Sequence, residues 1–79
     1  MELIEIKSKL ENVFRDVFED QTLNISNELT ANDVDGWDSL SHMLLISEVE
    51  KTFAIKFRLM DLNKMRNVGD MMDIIAAKL

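Results

Sequence analysis

The chain has 79 residues, 47% of them hydrophobic and 30% charged, with a net charge of −6 and no cysteine. A chain this short buries only about 60% of its unfolded surface, so the expectation is one small domain, residues 1–79, around a thin core. The missing cysteines exclude a disulfide scaffold, a thiolate zinc site and a cysteine nucleophile, and no apolar run approaches the ~20 residues of a membrane span. The opening Met1-Glu2-Leu3-Ile4-Glu5 lacks the basic start of a signal peptide, which points to a soluble, cytoplasmic, monomeric protein with no membrane insertion.

Taken in chain order, the pattern is helical throughout. There is no proline, the only glycines are Gly36 and Gly69, and no segment alternates with period two. A first helix is predicted from about residue 2 to about residue 18, with Leu3, Ile6, Leu10, Val13, Phe14 and Val17 on one stripe and Ile4 and Phe18 widening it. Residues 19–38 are rich in Asn, Asp, Thr and Ser and read as a long ordered loop. Leu23, Ile25, Leu29, Val34 and Trp37 are its anchors, with a helical turn near Thr30 to Val34.

A second helix is predicted from about residue 39 to about residue 53. On a wheel of about 100° per residue, Leu45, Ile46 and Phe53 gather around Val49, while Leu40, Leu44 and Ser47 fall opposite with Met43 at the edge. That is more apolar surface than one core face needs. It fits either a contact face beside Ser39 or a central helix buried on several sides. Ile55 and Phe57 tuck a connector inward, and Arg58 to Met65 form a short third helix using Leu59, Leu62 and Met65. Asn67, with Asp70 three residues on, opens the last helix as an N-cap resembling a capping box. Val68, Met71, Met72, Ile75 and Leu79 give its buried stripe. The sum is an all-α, small four-helix bundle with a long first loop and a short third helix.

Charge is unevenly spread. Residues 1–15 balance, residues 16–50 hold nine acids and no Lys or Arg, and residues 51–79 hold six bases against three acids. A nucleic-acid binder needs a basic stripe, which this is not. An acidic middle favours basic protein partners, with solubility as the plainer explanation.

The chemistry converges on Asp35-Gly36-Trp37-Asp38-Ser39-Leu40. Ser39 follows a turn-like Asp-Gly and opens an uninterrupted helical pattern, so its hydroxyl lies at a helix mouth. There, free backbone N–H groups and the positive dipole end favour a phosphate attached to it. The plainer role for such a serine is a helix cap. His42, the only histidine, lies on the core side of the helix and is read as partly buried and hydrogen-bonded, in plausible contact with Trp37. A Ser39–His42–Asp38 hydrolytic triad is disfavoured, because triad members normally come from separate elements. A calcium loop with Gly36 at its sixth position would put Ala31 first and His42 twelfth, both wrong ligands, so no metal site is expected. Trp37 reads as the loop's apolar anchor rather than a platform for a ligand.

Asp38-Ser39-Leu40, continuing through Leu45-Ile46, Val49-Glu50 and Phe53-Ala54-Ile55 to Val68-Gly69-Asp70-Met71, resembles the acyl carrier protein family over nearly the whole chain. The resemblance implies a covalent 4'-phosphopantetheine arm on Ser39, ending in a thiol that holds acyl groups as thioesters. It also implies no catalysis by the chain itself. Its partners would be a phosphopantetheinyl transferase and acyl-transferring or condensing enzymes with basic docking surfaces. Asp35, Asp38, Leu40, Met43, Leu44 and Glu48 are the candidate partner contacts. The family's second helix is usually dominated by acidic residues, whereas this one has only Glu48 and Glu50 after Ser39. The reading is therefore a carrier for fatty acid, lipid or related synthesis, or a dedicated one for a polyketide or aminoacyl pathway. The alternative outside the family is a small helical interaction domain in which Ser39 is only a cap.

Overall fold

In the computed structural model, which describes residues 1–79, α1 spans Leu3–Val17, α2 Ser39–Phe53, α3 Leu59–Asn63 and α4 Val68–Lys78. A 3-10 turn at Ala31–Asp33 lies in the long loop and no strand is present. This is the all-helical bundle expected from the periodicities, with the short helical turn where the loop was predicted to hold one.

The core is assembled from one stripe of each long helix. Ile6, Leu10, Val13 and Phe14 of α1 meet Leu45, Val49 and Phe53 of α2 and Val68, Met71, Met72 and Ile75 of α4, with Ile25 and Ile55 filling in from the connections. α1 packs on both α2 and α4. Only 14 of 79 residues are buried, all of them apolar, so few side chains carry the fold.

Four apolar positions depart from their predicted burial, the first being Leu3, 60% exposed in the opening turn of α1 ahead of the buried stripe that starts at Ile6. Ile4 is 75% exposed because it lies about 160° around α1 from Ile6, on the solvent side. Leu59 is exposed, as is Met60 beside it, because a five-residue helix presents one side inward and Leu62 and Met65 take it. Leu79 is half-exposed as the C-cap beyond the last turn of α4.

The long loop is fastened at both ends by backbone contacts. From α1, Arg15 Nε donates to the Leu23 carbonyl at 2.8 Å and Glu11 Oε2 accepts the Ile25 N–H at 3.0 Å. Glu11 and Arg15 also pair with each other one turn apart at 3.3 Å. At the far end, the Val68 N–H donates to the Leu29 carbonyl and the Gly69 N–H to the Asn27 carbonyl, both at 2.9 Å. Space at Gly69 is tight. A Cβ would stand 3.0 Å from the Asn27 carbonyl oxygen and 3.1 Å from the Asn27 Cβ.

The opening of α4 is half of the predicted capping box. Asn67 Oδ1 accepts the Asp70 N–H at 2.8 Å, but Asp70 Oδ2 takes the N–H of Arg66, one residue before the cap, at 3.0 Å. Lys78 near the end of α4 reaches Asp61 of α3 at 2.9 Å and ties the short helix down.

Candidate attachment site and partner face

The start of α2 is built by two residues that flank Ser39. Asp38, with an extended backbone, is the N-cap: its Oδ1 accepts the Ser41 N–H at 2.9 Å, while Ser41 Oγ accepts the Asp38 N–H at 2.8 Å. The Ser41 hydroxyl in turn donates to the Gly36 carbonyl at 2.7 Å, closing the Asp35-Gly36 turn onto the helix. Gly36 sits at φ +84, which favours glycine. These Ser41 contacts hold the Asp38 carboxyl below the usual carboxylate range.

Ser39 is therefore the first helical residue and not the cap. Its side chain is exposed, and capping is done by its neighbours on either side. Of the first-turn N–H groups, Asp38 takes that of Ser41 and adds a negative charge beside the serine hydroxyl, while those of Ser39 and Leu40 make no hydrogen bond.

A cleft of about 530 Å³ opens next to Ser39. Ala31, Trp37, Asp38 and Ser39 form its wall on the loop and helix mouth, His42 and Met43 line it from α2, and Met65, Arg66, Asn67 and Met71 close the opposite side. Trp37 is fixed from behind by the edge of Phe14, with ring centroids 5.3 Å apart at 80°, and by Phe18 at 5.8 Å. From the front it meets His42. The indole Nε1–H donates to His42 Nδ1 at 3.0 Å, and the two rings lie nearly parallel, 16° apart with centroids separated by 6.0 Å, edge to edge along that bond. The predicted contact between them is thus a directed hydrogen bond. Partial burial pushes the His42 imidazole below its ordinary pKa, favouring the neutral ring that the bond to Trp37 requires. The Asp38 carboxylate is occupied by Ser41, and Trp37, not an acid, orients the imidazole.

The six candidate partner contacts are all exposed, and they flank two different clefts. Leu40 and Met43 are 72% and 71% exposed and Leu44 is 56% exposed, so the outward apolar face of α2 is open to solvent. Met43 turns to the cleft beside Ser39, whereas Leu44 and Glu48 line a separate groove against Val13, Asp16 and Val17 of α1. Asp35 and Asp38 lie at the helix mouth. Glu48 is paired loosely with Lys51 at 3.6 Å. The second acid of α2, Glu50, is turned to structure: its Oε2 accepts the Phe57 N–H at 2.8 Å. No three His, Cys, Asp or Glu side chains come together as metal ligands.

Sequence reading missed Arg66 in the cleft wall, because a basic residue between two helices gives no periodic signal. It also missed the exposed Leu59 and Met60 pair, whose outward direction depends on how short α3 is.

The arrangement suits a phosphodiester-linked arm. Ser39 is accessible, its backbone is fixed by a cap that does not use its hydroxyl, and the adjoining cleft is lined by apolar and polar side chains together. Residues 8–75 match the family described as the phosphopantetheine attachment site. The holo acyl carrier protein of Geobacter metallireducens, solved by NMR, is similar at 46% identity and a TM-score of 0.87, over 91% of this chain and 83% of that one. No curated protein matches. With the family match covering most of its length and a similar holo carrier sharing its fold, the chain belongs to the phosphopantetheine-attachment family, whose members carry that group covalently.

Proposed function

We propose that the chain is an acyl carrier protein with its 4'-phosphopantetheine arm on Ser39. The arm, when attached, supplies a terminal thiol that holds the cargo as a thioester. The observation that carries this reading is an exposed serine relieved of capping by Asp38 and Ser41, at the edge of an open cleft, inside the matched family segment. On this reading the chain itself is non-catalytic: it presents cargo, and separate enzymes load, transform and remove it. Leu40, Met43 and Leu44 supply apolar contact, and Asp35, Asp38 and Glu48 supply charge, for weak and exchangeable docking to basic partner surfaces. Co-expression with a phosphopantetheinyl transferase tests the reading. Intact mass should rise by one arm, and Ser39→Ala should abolish the gain.

Within that function, the charge on α2 favours a dedicated carrier over the carrier of bulk fatty-acid synthesis. After Ser39 the helix has two acids, of which Glu50 is spent on the Phe57 N–H and Glu48 is partly offset by Lys51. Docking then leans on apolar contact more than on long-range attraction, and the loading rate should fall only modestly as salt rises. A steep loss of rate with salt would contradict the dedicated-carrier reading.

A further inference from the structure

A phosphate on Ser39 would stand beside a carboxylate that partly offsets the favourable helix mouth. Asp38 stands directly before it as a carboxylate, and the Ser41 N–H that could have served the phosphate is already bound to that carboxylate. The Ser39 and Leu40 N–H groups stay open at the mouth, and a further donor is within reach from the cleft wall. Residues three apart on a helix are neighbours on one face, about 5–6 Å between Cβ atoms, so His42 is within one turn of Ser39 on the side that lines the cleft.

The state of the His42 ring is fixed by Trp37. An indole N–H can only donate, so Nδ1 is the acceptor and a neutral ring must carry its proton on Nε2. Nε2 makes no hydrogen bond within the chain and is left to the cleft that Ser39 also lines. The other charged groups around it are Asp38 at the helix mouth and Arg66 across the cleft, the latter paired with Asp70 at 3.3 Å.

We propose that His42 is a positioning residue for the arm: with Nδ1 tied to Trp37, its Nε2–H donates to the phosphodiester on Ser39 and holds the root of the arm against the cleft. This rests on Ser39 being the attachment point. Two consequences follow from the geometry. The phosphodiester favours the imidazolium, so attachment of the arm raises the midpoint at which His42 takes up a second proton. That second proton goes to Nδ1, which then no longer accepts from Trp37, so the Trp37–His42 bond opens at higher pH in the armed protein than in the bare one.

The test uses the apo and holo forms of the full chain, with intact mass first confirming the arm. His42 is the only histidine, so its ring nitrogens are followed by 15N NMR across about pH 5 to 8 without overlap. The phosphodiester has no protonation step of its own in that range, so its 31P signal responds only to a titrating neighbour. The expected result is an Nε2–H tautomer in both forms, an upward shift of the His42 midpoint on attachment, and a 31P shift that follows the same midpoint. About 1 M salt should not abolish these shifts, since it screens a through-solvent charge effect but not a hydrogen bond. In His42→Gln, whose amide can still donate from the Nε2 position, the 31P signal should lose its pH dependence yet stay closer to the wild-type position than in His42→Ala. An unchanged His42 midpoint, a flat 31P signal, or shifts that vanish in salt would overturn the proposal while leaving the attachment site standing. No gain in mass would instead overturn the reading beneath it.

Discussion

Asp38 and Ser41 cap each other across the first turn of α2, one through its carboxylate and one through its hydroxyl, with Ser39 between them taking no part. Both should matter for stability where Ser39 does not. Ser41→Ala removes the reciprocal bond and the tie to the Gly36 carbonyl, with an expected loss of about 1 kcal/mol. Asp38→Ala should also destabilise the fold. Ser39→Ala should leave the unfolding free energy within about 0.5 kcal/mol of wild type. A Ser39→Ala loss as large as that of Ser41→Ala would show the serine to be a structural cap after all.

The Trp37–His42 bond makes stability depend on pH in a defined direction. Burial lowers the folded His42 pKa, so between that value and the ordinary histidine pKa of about 6.5 the unfolded chain binds more protons than the folded one. Stability is therefore full above the ordinary value, falls as pH drops through it, and stops falling on this account below the folded value. Asp20, Asp38 and Asp61 are held below the usual carboxylate range mainly by hydrogen bonds, and their contribution is lost only in stronger acid. Denaturant unfolding across this range should show the mildly acidic slope in wild type and not in His42→Ala. Trp37, the only tryptophan, should change fluorescence over the same interval.

Leu44 and Leu45 are chemically identical neighbours with opposite surroundings, since Leu44 is 56% exposed and Leu45 is fully buried. Leu45→Ala should cost about 2–5 kcal/mol through lost burial and a cavity. Leu44→Ala should change stability little and instead slow loading or transfer by a partner enzyme. Equal destabilisation by both would put the outer face of α2 in the core and remove it from the partner surface.

Gly69→Ala provides a test of sign. In an open helix the change would gain about 0.5–1 kcal/mol. Here the added Cβ would sit 3.0 Å from a carbonyl oxygen that Gly69's own N–H holds in place, so a loss of about 1–3 kcal/mol is expected. Amide exchange should rise first at Val68 and Gly69, where α4 is fastened to the loop.

Much of this fold was legible because it depends on local repeats. The stripes of α1, α2 and α4 follow from side chains three and four apart, and the span of α2 follows from the turn at Gly36 before it. Ser39 stood out for the same local reason. What stayed hidden depends on contacts distant in sequence. Glu11 and Arg15 look like an ordinary surface pair one turn apart, yet they hold the backbone of the loop at Leu23 and Ile25. The role of Gly69 depends on Asn27, far back in the chain. Arg66 enters the cleft wall only because α4 folds back beside the mouth of α2. The division of labour at the helix mouth was also out of reach, because Asp38, Ser39 and Ser41 are all good capping residues and only geometry separates them.

Intact-mass measurement of wild type and Ser39→Ala, each co-expressed with a phosphopantetheinyl transferase, tests the central claim most directly. The account predicts that wild type gains the mass of one arm, that Ser39→Ala gains none, and that the two proteins unfold at nearly the same denaturant concentration. An unmodified wild type across several transferases, or an arm still present on folded Ser39→Ala, would contradict it.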